Sequence, residues 1–134
     1  MLRKLLTRSG SGGGSSGTEA ETAGPPLASL RVADGFVFLS GQGGFDGDHT
    51  LVAGGVAAET AQIFRNVARL LESVGASLDD VVSCLVHLAD LDDYAALNEE
   101  YAKHFPGEKP VRTTVRADLV AGMRVEITVV ARQR

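Results

Sequence analysis

Two charged residues near the C-terminus stand in runs that are otherwise typical of buried β-strands. Arg112 opens the strand-like run PVRTTV, and Glu126 alternates with Val125 and Ile127 in MRVEITVVA. An arginine stays charged at ordinary pH, and its planar guanidinium can hold a carboxylate through two parallel hydrogen bonds. Arg112 therefore predicts an anion-binding position at the start of its strand.

The position of Glu126 leaves two interpretations open. Alternation places its side chain on the strand face opposite Val125 and Ile127. If the last two strands are antiparallel neighbours, that face could bring the carboxylate near Arg112 or near a water beside it. The alternative is an ordinary cross-strand salt bridge or a solvated sheet face, and neither of these requires a function.

Other motifs that carry chemistry are absent from the sequence. There is no phosphate loop ending in GKS or GKT, no Gly-x-Ser-x-Gly elbow and no zinc spacing. Asp46, Asp48 and His49 lack the distal glutamate of a calcium loop, which favours a solvated loop. A lone His87 is interpreted as a core or sheet-face residue, and Cys84 as a buried small side chain. We therefore expect neither a metal nor an organic cofactor.

Hydrophobic periodicity and turn residues predict the elements that position these side chains. Two short apolar runs flank Asp-Gly at 34–35, which predicts a β-hairpin. Apolar residues at intervals of three and four predict a helix from Val56 and a second helix capped by Asp92 or Asp93. Further apolar runs predict strands at 81–90, 112–117 and 123–131.

The resulting order β-β-α-β-α-β-β predicts a single-domain α+β fold with two helices packed on one face of a mixed sheet. The strand segments 81–88 and 125–131 are apolar at nearly every position, so burial on both sheet faces is expected. Because two helices can cover only one face, self-association is expected to cover the other.

The charge balance argues against a nucleic-acid partner. The 134 residues carry 13 basic and 17 acidic side chains, a formal net charge of −4, and no basic stripe follows residue 18. No apolar run reaches the roughly 20 residues that span a bilayer, so no membrane partner is expected either. These patterns predict a cytoplasmic protein.

Residues 1–17 differ in kind from the rest of the chain. MLRKLLTR is basic and contains no acidic residue, and the Gly/Ser run that follows cannot bury enough surface to order itself. This segment predicts a flexible tail, with an organelle-targeting or docking peptide as the alternative. The folded domain is predicted to span residues 18–134.

Several segments together resemble the Rid family, also called YjgF-type, of enamine and imine deaminases. They are LSGQ, ETAQIFRNVARLLESVGASLDDVV, LADLDDYAALNEEYAKHF, PVRTTV and MRVEITVVA, in the family's order and with its separations across residues 23–132. The resemblance implies a chorismate-mutase-like homotrimer with its sites in clefts between subunits. It implies that Arg112 binds the carboxylate of a small substrate and that Glu126 positions or activates water. Further positions associated with the pocket are Ser40, Gly41, Asn98 and Thr114.

The reaction that the resemblance implies is hydrolytic deamination of reactive 2-imino or 2-enamino acids to 2-keto acids and ammonia, of the 2-iminobutanoate/2-iminopropanoate deaminase type, which serves metabolite damage control. Pro26 stands where archetypal members have a tyrosine and Thr114 where they have a cysteine, which favours a changed substrate. Two alternatives stay open. One is a non-catalytic trimer that binds a carboxylate, and the other is a pathway-specific member that acts on a different enamine or a ring carboxylate.

Overall fold

The computed structural model describes residues 24–134. The predicted tail at 1–17 and the predicted domain start at residue 18 lie outside the described residues. Within the described part, the order of strands and α-helices along the chain is the predicted one. The strands are β1 (Leu30–Ala33), β2 (Phe36–Leu39), β3 (Val81–Leu88), β4 (Val111–Arg116) and β5 (Val125–Arg132), and the helices are α1 (Gly55–Glu72) and α2 (Tyr94–Ala102).

The five strands form one mixed sheet in the order β1-β2-β5-β3-β4. The predicted hairpin joins β1 to β2, and Asp34 and Gly35 have φ angles of 51° and 80°. A two-residue turn with both central residues in the left-handed region matches the twist of the strands that it joins. Glycine tolerates this conformation without a steric penalty, which explains why Asp-Gly predicts the turn correctly.

The last two strands are not neighbours, so the condition under which Glu126 could face Arg112 across an antiparallel pair is not met. β4 pairs in parallel with β3, while β5 lies between β2 and β3 and is antiparallel to both. Because α2 carries the chain back along the sheet, the strand that follows it must run parallel to β3. β4 therefore occupies the edge, and the apolar β5 takes the centre.

Both helices pack on one face of the sheet, as predicted. The buried apolar side chains of α1 and the facing side chains of the sheet form one core, which includes Ile63, Phe64, Val67, Leu71, Val86, Leu88, Val125, Ile127 and Val129. Asp93, one of the two predicted caps, is the N-cap residue of α2, but its side chain makes no capping hydrogen bond. The Asp90 carboxylate instead caps a preceding 3₁₀ turn by accepting a hydrogen bond from the Asp92 amide at 2.9 Å. No helix within residues 24–134 has the length and apolarity that crossing a bilayer requires.

The opposite face of the sheet, called here the open face, is not covered by any described element. It carries Phe38 at 47% exposure and Phe36 at 39%, together with Leu85 and Val115. β5 alternates between the two faces, burying Val125, Ile127, Val129 and Ala131 under the helices while its even-numbered residues point to the open face. An apolar surface of this kind on a small domain is typical of a face that contacts another chain.

Candidate active site

Arg112 lies on the helix side of the edge strand β4, next to α2. Its register partner in β3 is Cys84, whose side chain is buried in the core. The Arg112 Nη2 group donates hydrogen bonds to Asn98 Oδ1 at 2.7 Å and to the Tyr94 hydroxyl at 3.3 Å. The guanidinium carbon lies 4.7 Å from the centre of the Tyr101 ring and 5.6 Å from that of Tyr94. Amide and aromatic contacts thus hold this side chain while its charge stays unneutralised.

No carboxylate within residues 24–134 forms an ion pair with Arg112. The hydrogen bonds that the described residues make to the guanidinium use Nη2, so Nε and Nη1 keep their donors. A cross-strand salt bridge between Arg112 and Glu126 is therefore excluded within one described chain. A positioned guanidinium with unused donors on adjacent nitrogens can bind a carboxylate.

Glu126 lies on the open face of β5, directly across from His87 of β3. Its Oε1 atom is 3.8 Å from His87 Nδ1, and about a fifth of its side chain is exposed (21%). Burial raises the pKa of Glu126 above its ordinary value, and the nearby His87 opposes part of this increase. A half-buried carboxyl with a raised pKa is suited to exchanging protons near neutral pH.

The loop after β2 runs against the Glu126 carboxyl. The backbones of Gln42 and Ile127 exchange two hydrogen bonds, at 2.9 and 3.0 Å, which extends the pairing of β5 into this loop. A Cβ atom added to Gly41 would lie 2.8 Å from the Glu126 carboxyl carbon. The Ser40 hydroxyl donates to a main-chain carbonyl at 2.6 Å, which fixes the start of the loop. Glycine at position 41 therefore makes the space that the carboxyl occupies.

Thr114 lies on the helix side of β4, two residues beyond Arg112, and its register partner is Val86. Its hydroxyl is buried and has no hydrogen-bond partner among the described residues. The side chain therefore belongs with Arg112 rather than with Glu126.

The six residues predicted for the site thus fall into two groups. Those on the helix side, called here the arginine group, are Arg112, Asn98 and Thr114. Those beside the open face, called here the glutamate group, are Glu126, Ser40 and Gly41. Because β3 lies between β4 and β5, one chain does not bring the two groups together. Each group is called here a candidate half-site.

The sequence predictions missed the residues that complete each half-site. Tyr94 and Tyr101 flank Arg112, and their spacing with Asn98 at intervals of four and three could have shown that all three share one helix face. The pairing of His87 with Glu126 depends on strand register, which the sequence does not reveal. No group of three His, Cys, Asp or Glu side chains in residues 24–134 is placed to hold a metal ion.

Cys84, interpreted from sequence as a buried small side chain, lies in the core at 1% exposure. Burial raises the pKa of the Cys84 thiol, so the reactive thiolate is disfavoured. Cys84 is part of the hydrophobic core, on the strand β3 that pairs with β4.

The fold and these two half-sites define a small α+β protein with an unpaired arginine on one side of its sheet and a half-buried glutamate on the other. The profile of the family described as Endoribonuclease L-PSP matches residues 20–133. The chain belongs to this family, which is the YjgF/Rid family that the sequence segments resembled.

Curated relatives and solved structures agree with this assignment. A mouse protein named 2-iminobutanoate/2-iminopropanoate deaminase is 37% identical over 118 residues, which is 87% of this chain and 87% of that protein. The Saccharomyces cerevisiae protein MMF1, named as mitochondrial, is 37% identical over 112 residues, 80% of this chain and 77% of its own. The crystal structure of yeast Mmf1 superposes with a TM-score of 0.80 at 34% identity, covering 84% of this chain and 90% of that one.

Proposed function

We propose that this protein hydrolyses reactive 2-imino acids, and the 2-enamino acids that tautomerise to them, to 2-keto acids and ammonia. The observation that carries the proposal is Arg112, a guanidinium held by Asn98 and two tyrosines with no carboxylate partner among the described residues. Such a group is suited to hold the carboxylate that every 2-imino acid carries. Membership of the Rid family and the name of the mouse relative support the same reaction.

The first chemical step is addition of water to the protonated imine. The Glu126 carboxylate takes a proton from water while the water oxygen forms a bond to the imine carbon. The electron pair of the C=N double bond moves to nitrogen, which becomes a neutral amine. The product of this step is a carbinolamine beside a protonated Glu126.

The second step releases ammonia. Protonated Glu126 gives its proton to the amine nitrogen and then accepts the hydroxyl proton as the carbonyl forms and the C–N bond breaks. The released ammonia takes this second proton from Glu126 and leaves as ammonium, which regenerates the carboxylate. Since free imines already hydrolyse in water, positioning by Arg112 and proton transfer by Glu126 suffice for useful acceleration.

Assembly of the site requires a second copy of the chain, and we propose a homotrimer. The arginine group and the glutamate group lie on opposite sides of one sheet, so a complete site takes one group from each of two copies. Association through the open face would also cover Phe36 and Phe38. A closed ring of three such head-to-tail contacts gives three equal sites.

Thr114 of the arginine group is the pocket position at which this chain departs from archetypal family members. Its buried hydroxyl has no hydrogen-bond partner among the described residues. We propose that this hydroxyl faces the bound substrate and favours imines other than the smallest ones. The cytoplasmic location and the alternative targeting role of residues 1–17 stay predictions, although the relative MMF1 is named as mitochondrial.

The test generates 2-iminopropanoate and bulkier imines in place with an amino-acid oxidase and follows their trapping by semicarbazide. The protein should lower semicarbazone formation in proportion to its concentration. The Arg112→Ala variant at equal concentration controls for non-specific catalysis by protein amines. If no imine in the series is hydrolysed faster with the wild-type protein than without protein, the deaminase proposal fails and a carboxylate-binding module replaces it.

A further inference from the structure

His87 is the titratable side chain that faces Glu126 on the open face, and the reaction described above gives it no role. The two residues are register partners across β3 and β5, with Nδ1 and Oε1 separated by 3.8 Å. This separation is too long for a hydrogen bond but lies within ion-pair range. The His87 Nδ1 atom is buried and has no hydrogen-bond partner among the described residues.

The direct neighbours of the pair on the adjacent strand and loop are uncharged. On the β4 side, the register partner of His87 is the apolar Val115. On the β2 side, the loop passes Gly41 against the Glu126 carboxyl. Within residues 24–134, His87 is the charged group that acts on the ionisation of Glu126. Within one described chain, a protonated His87 is therefore the group that places a positive charge beside this carboxyl, and in the proposed assembly Arg112 of a second copy adds to it.

We propose that His87 is a positioning residue for Glu126, whose carboxylate it keeps ionised in mild acid through a cross-strand ion pair. This inference rests on the proposed function for its catalytic meaning. The ion pair itself depends only on the geometry of β3 and β5. Both residues of the ion pair belong to the same chain, so the pair does not require association with a second copy.

The charges of His87 and Glu126 determine the direction in which loss of His87 should shift the pH dependence. Burial raises the pKa of Glu126, so mild acid protonates this carboxyl earlier than an exposed glutamate and removes the base. An imidazolium opposite favours the ionised carboxylate and lowers the pH at which the base is lost. Replacing His87 with an uncharged ring should move the loss of activity to higher pH.

A carbon-13 titration of the glutamate side-chain carboxyls tests the ion pair without using activity. The signal of Glu126 is assigned by its absence in Glu126→Gln. In His87→Phe, the midpoint of this signal should shift to higher pH than in the wild type. In His87→Lys, which restores a cation, the midpoint should return toward the wild-type value.

The control is His104→Phe. His104 forms another histidine–glutamate pair, with Nε2 of the imidazole 3.0 Å from Glu100, and stacks on Phe64. Phenylalanine preserves the stacked ring in that variant, so folding is expected to survive. The His104→Phe substitution should leave the Glu126 titration unchanged, because His104 and Glu100 lie at the C-terminal end of α2, on the other side of the sheet.

The pH dependence of kcat/KM for imine hydrolysis gives the second readout. The acid limb should move to higher pH in His87→Phe and stay in place in His104→Phe. At pH 8 the His87→Phe value should remain within about twofold of the wild type, because Glu126 is ionised in both proteins. A merely structural role for His87 would lower the rate equally at every pH.

The inference is overturned if the Glu126 midpoint in His87→Phe equals that of the wild type in a protein whose assembly is intact by size exclusion. A wild-type protein that hydrolyses no imine overturns the proposed function instead. The carbon-13 titration still decides the ion pair in that case, so the two failures are distinguishable.

Discussion

The arginine group and the glutamate group differ in how many hydrogen bonds and contacts the same chain makes to their charged side chains. Arg112 has hydrogen bonds to Asn98 and Tyr94 and lies over two aromatic rings, all supplied by the adjacent helix α2. Glu126 accepts no hydrogen bond from the described residues and has only His87 at 3.8 Å, and burial raises its pKa.

In the proposed reaction, this difference assigns carboxylate binding to Arg112 and proton transfer to Glu126. The arginine is preorganised within one chain, so binding a carboxylate requires little ordering of the side chain. The glutamate is partly desolvated but unsatisfied, which leaves its lone pairs available to water and to substrate. The predictions below test whether the two half-sites act together, beginning with the largest expected effect.

Removal of the guanidinium should have the largest effect. Arg112→Ala should lose about 2–5 kcal/mol of transition-state binding, which is roughly 30-fold to a few thousand-fold in kcat/KM. Arg112→Lys should also fail, because a point charge does not reproduce two parallel hydrogen bonds. Arg116→Ala is the matched control, since Arg116 lies on the same side of β4 and is exposed. Wild-type hydrolysis by an intact Arg112→Ala assembly would contradict the binding role.

Mixing two inactive variants should restore activity if a site combines groups from two copies. Glu126→Gln alone should lower kcat on the order of 10²-fold while carboxylate binding persists. After co-refolding with equal Arg112→Ala, about one quarter of the sites should join an intact arginine to an intact glutamate. The mixture should therefore recover roughly a quarter of wild-type turnover. A mixture no more active than its two components would show that the half-sites do not meet between copies.

A methyl group on Gly41 should displace the glutamate without unfolding the protein. The added Cβ would meet the Glu126 carboxyl carbon at 2.8 Å, and a flexible carboxyl can move away at little cost in stability. Gly41→Ala should therefore lower kcat by up to about 10²-fold, because a misplaced base loses near-attack geometry. The melting temperature should change little. Gly47→Ala, where an added Cβ contacts nothing within 4 Å, should leave kcat unchanged.

Loss of the amide that holds Arg112 should have the smallest effect of the series. Asn98→Ala removes the 2.7 Å hydrogen bond to Nη2 but leaves the two aromatic contacts. A hydrogen bond to a charged group is worth about 1.5 kcal/mol, so KM should rise roughly tenfold with kcat nearly unchanged. Steady-state kinetics beside Glu99→Ala, on an exposed position of the same helix, would test this. An equal fall in kcat would instead place Asn98 in the chemical step.

Much of the fold could be predicted from local sequence patterns. The apolar face of α1 follows from hydrophobic periodicity, and the Asp34-Gly35 turn follows from backbone preference. Neither prediction depends on contacts between distant segments. Arg112 and Glu126 stood out by their charge within apolar strands, whereas Ser40, Gly41, Asn98 and Thr114 were named through a resemblance to a family. Their distribution over two sides of the sheet could not be read from the chain, because strand order depends on contacts between distant segments.

The sequence by itself determined that residue 126 faces away from Val125 and Ile127, since side chains alternate along any strand. Only the tertiary structure decided which face the helices cover and which strand lies beside β5. Insertion of β5 between β2 and β3 places Glu126 opposite His87, while the parallel pairing of β4 with β3 directs Arg112 toward α2. Burial of the apolar side of β5 under both helices fixes this arrangement, because a shift of one residue would expose that entire side to water.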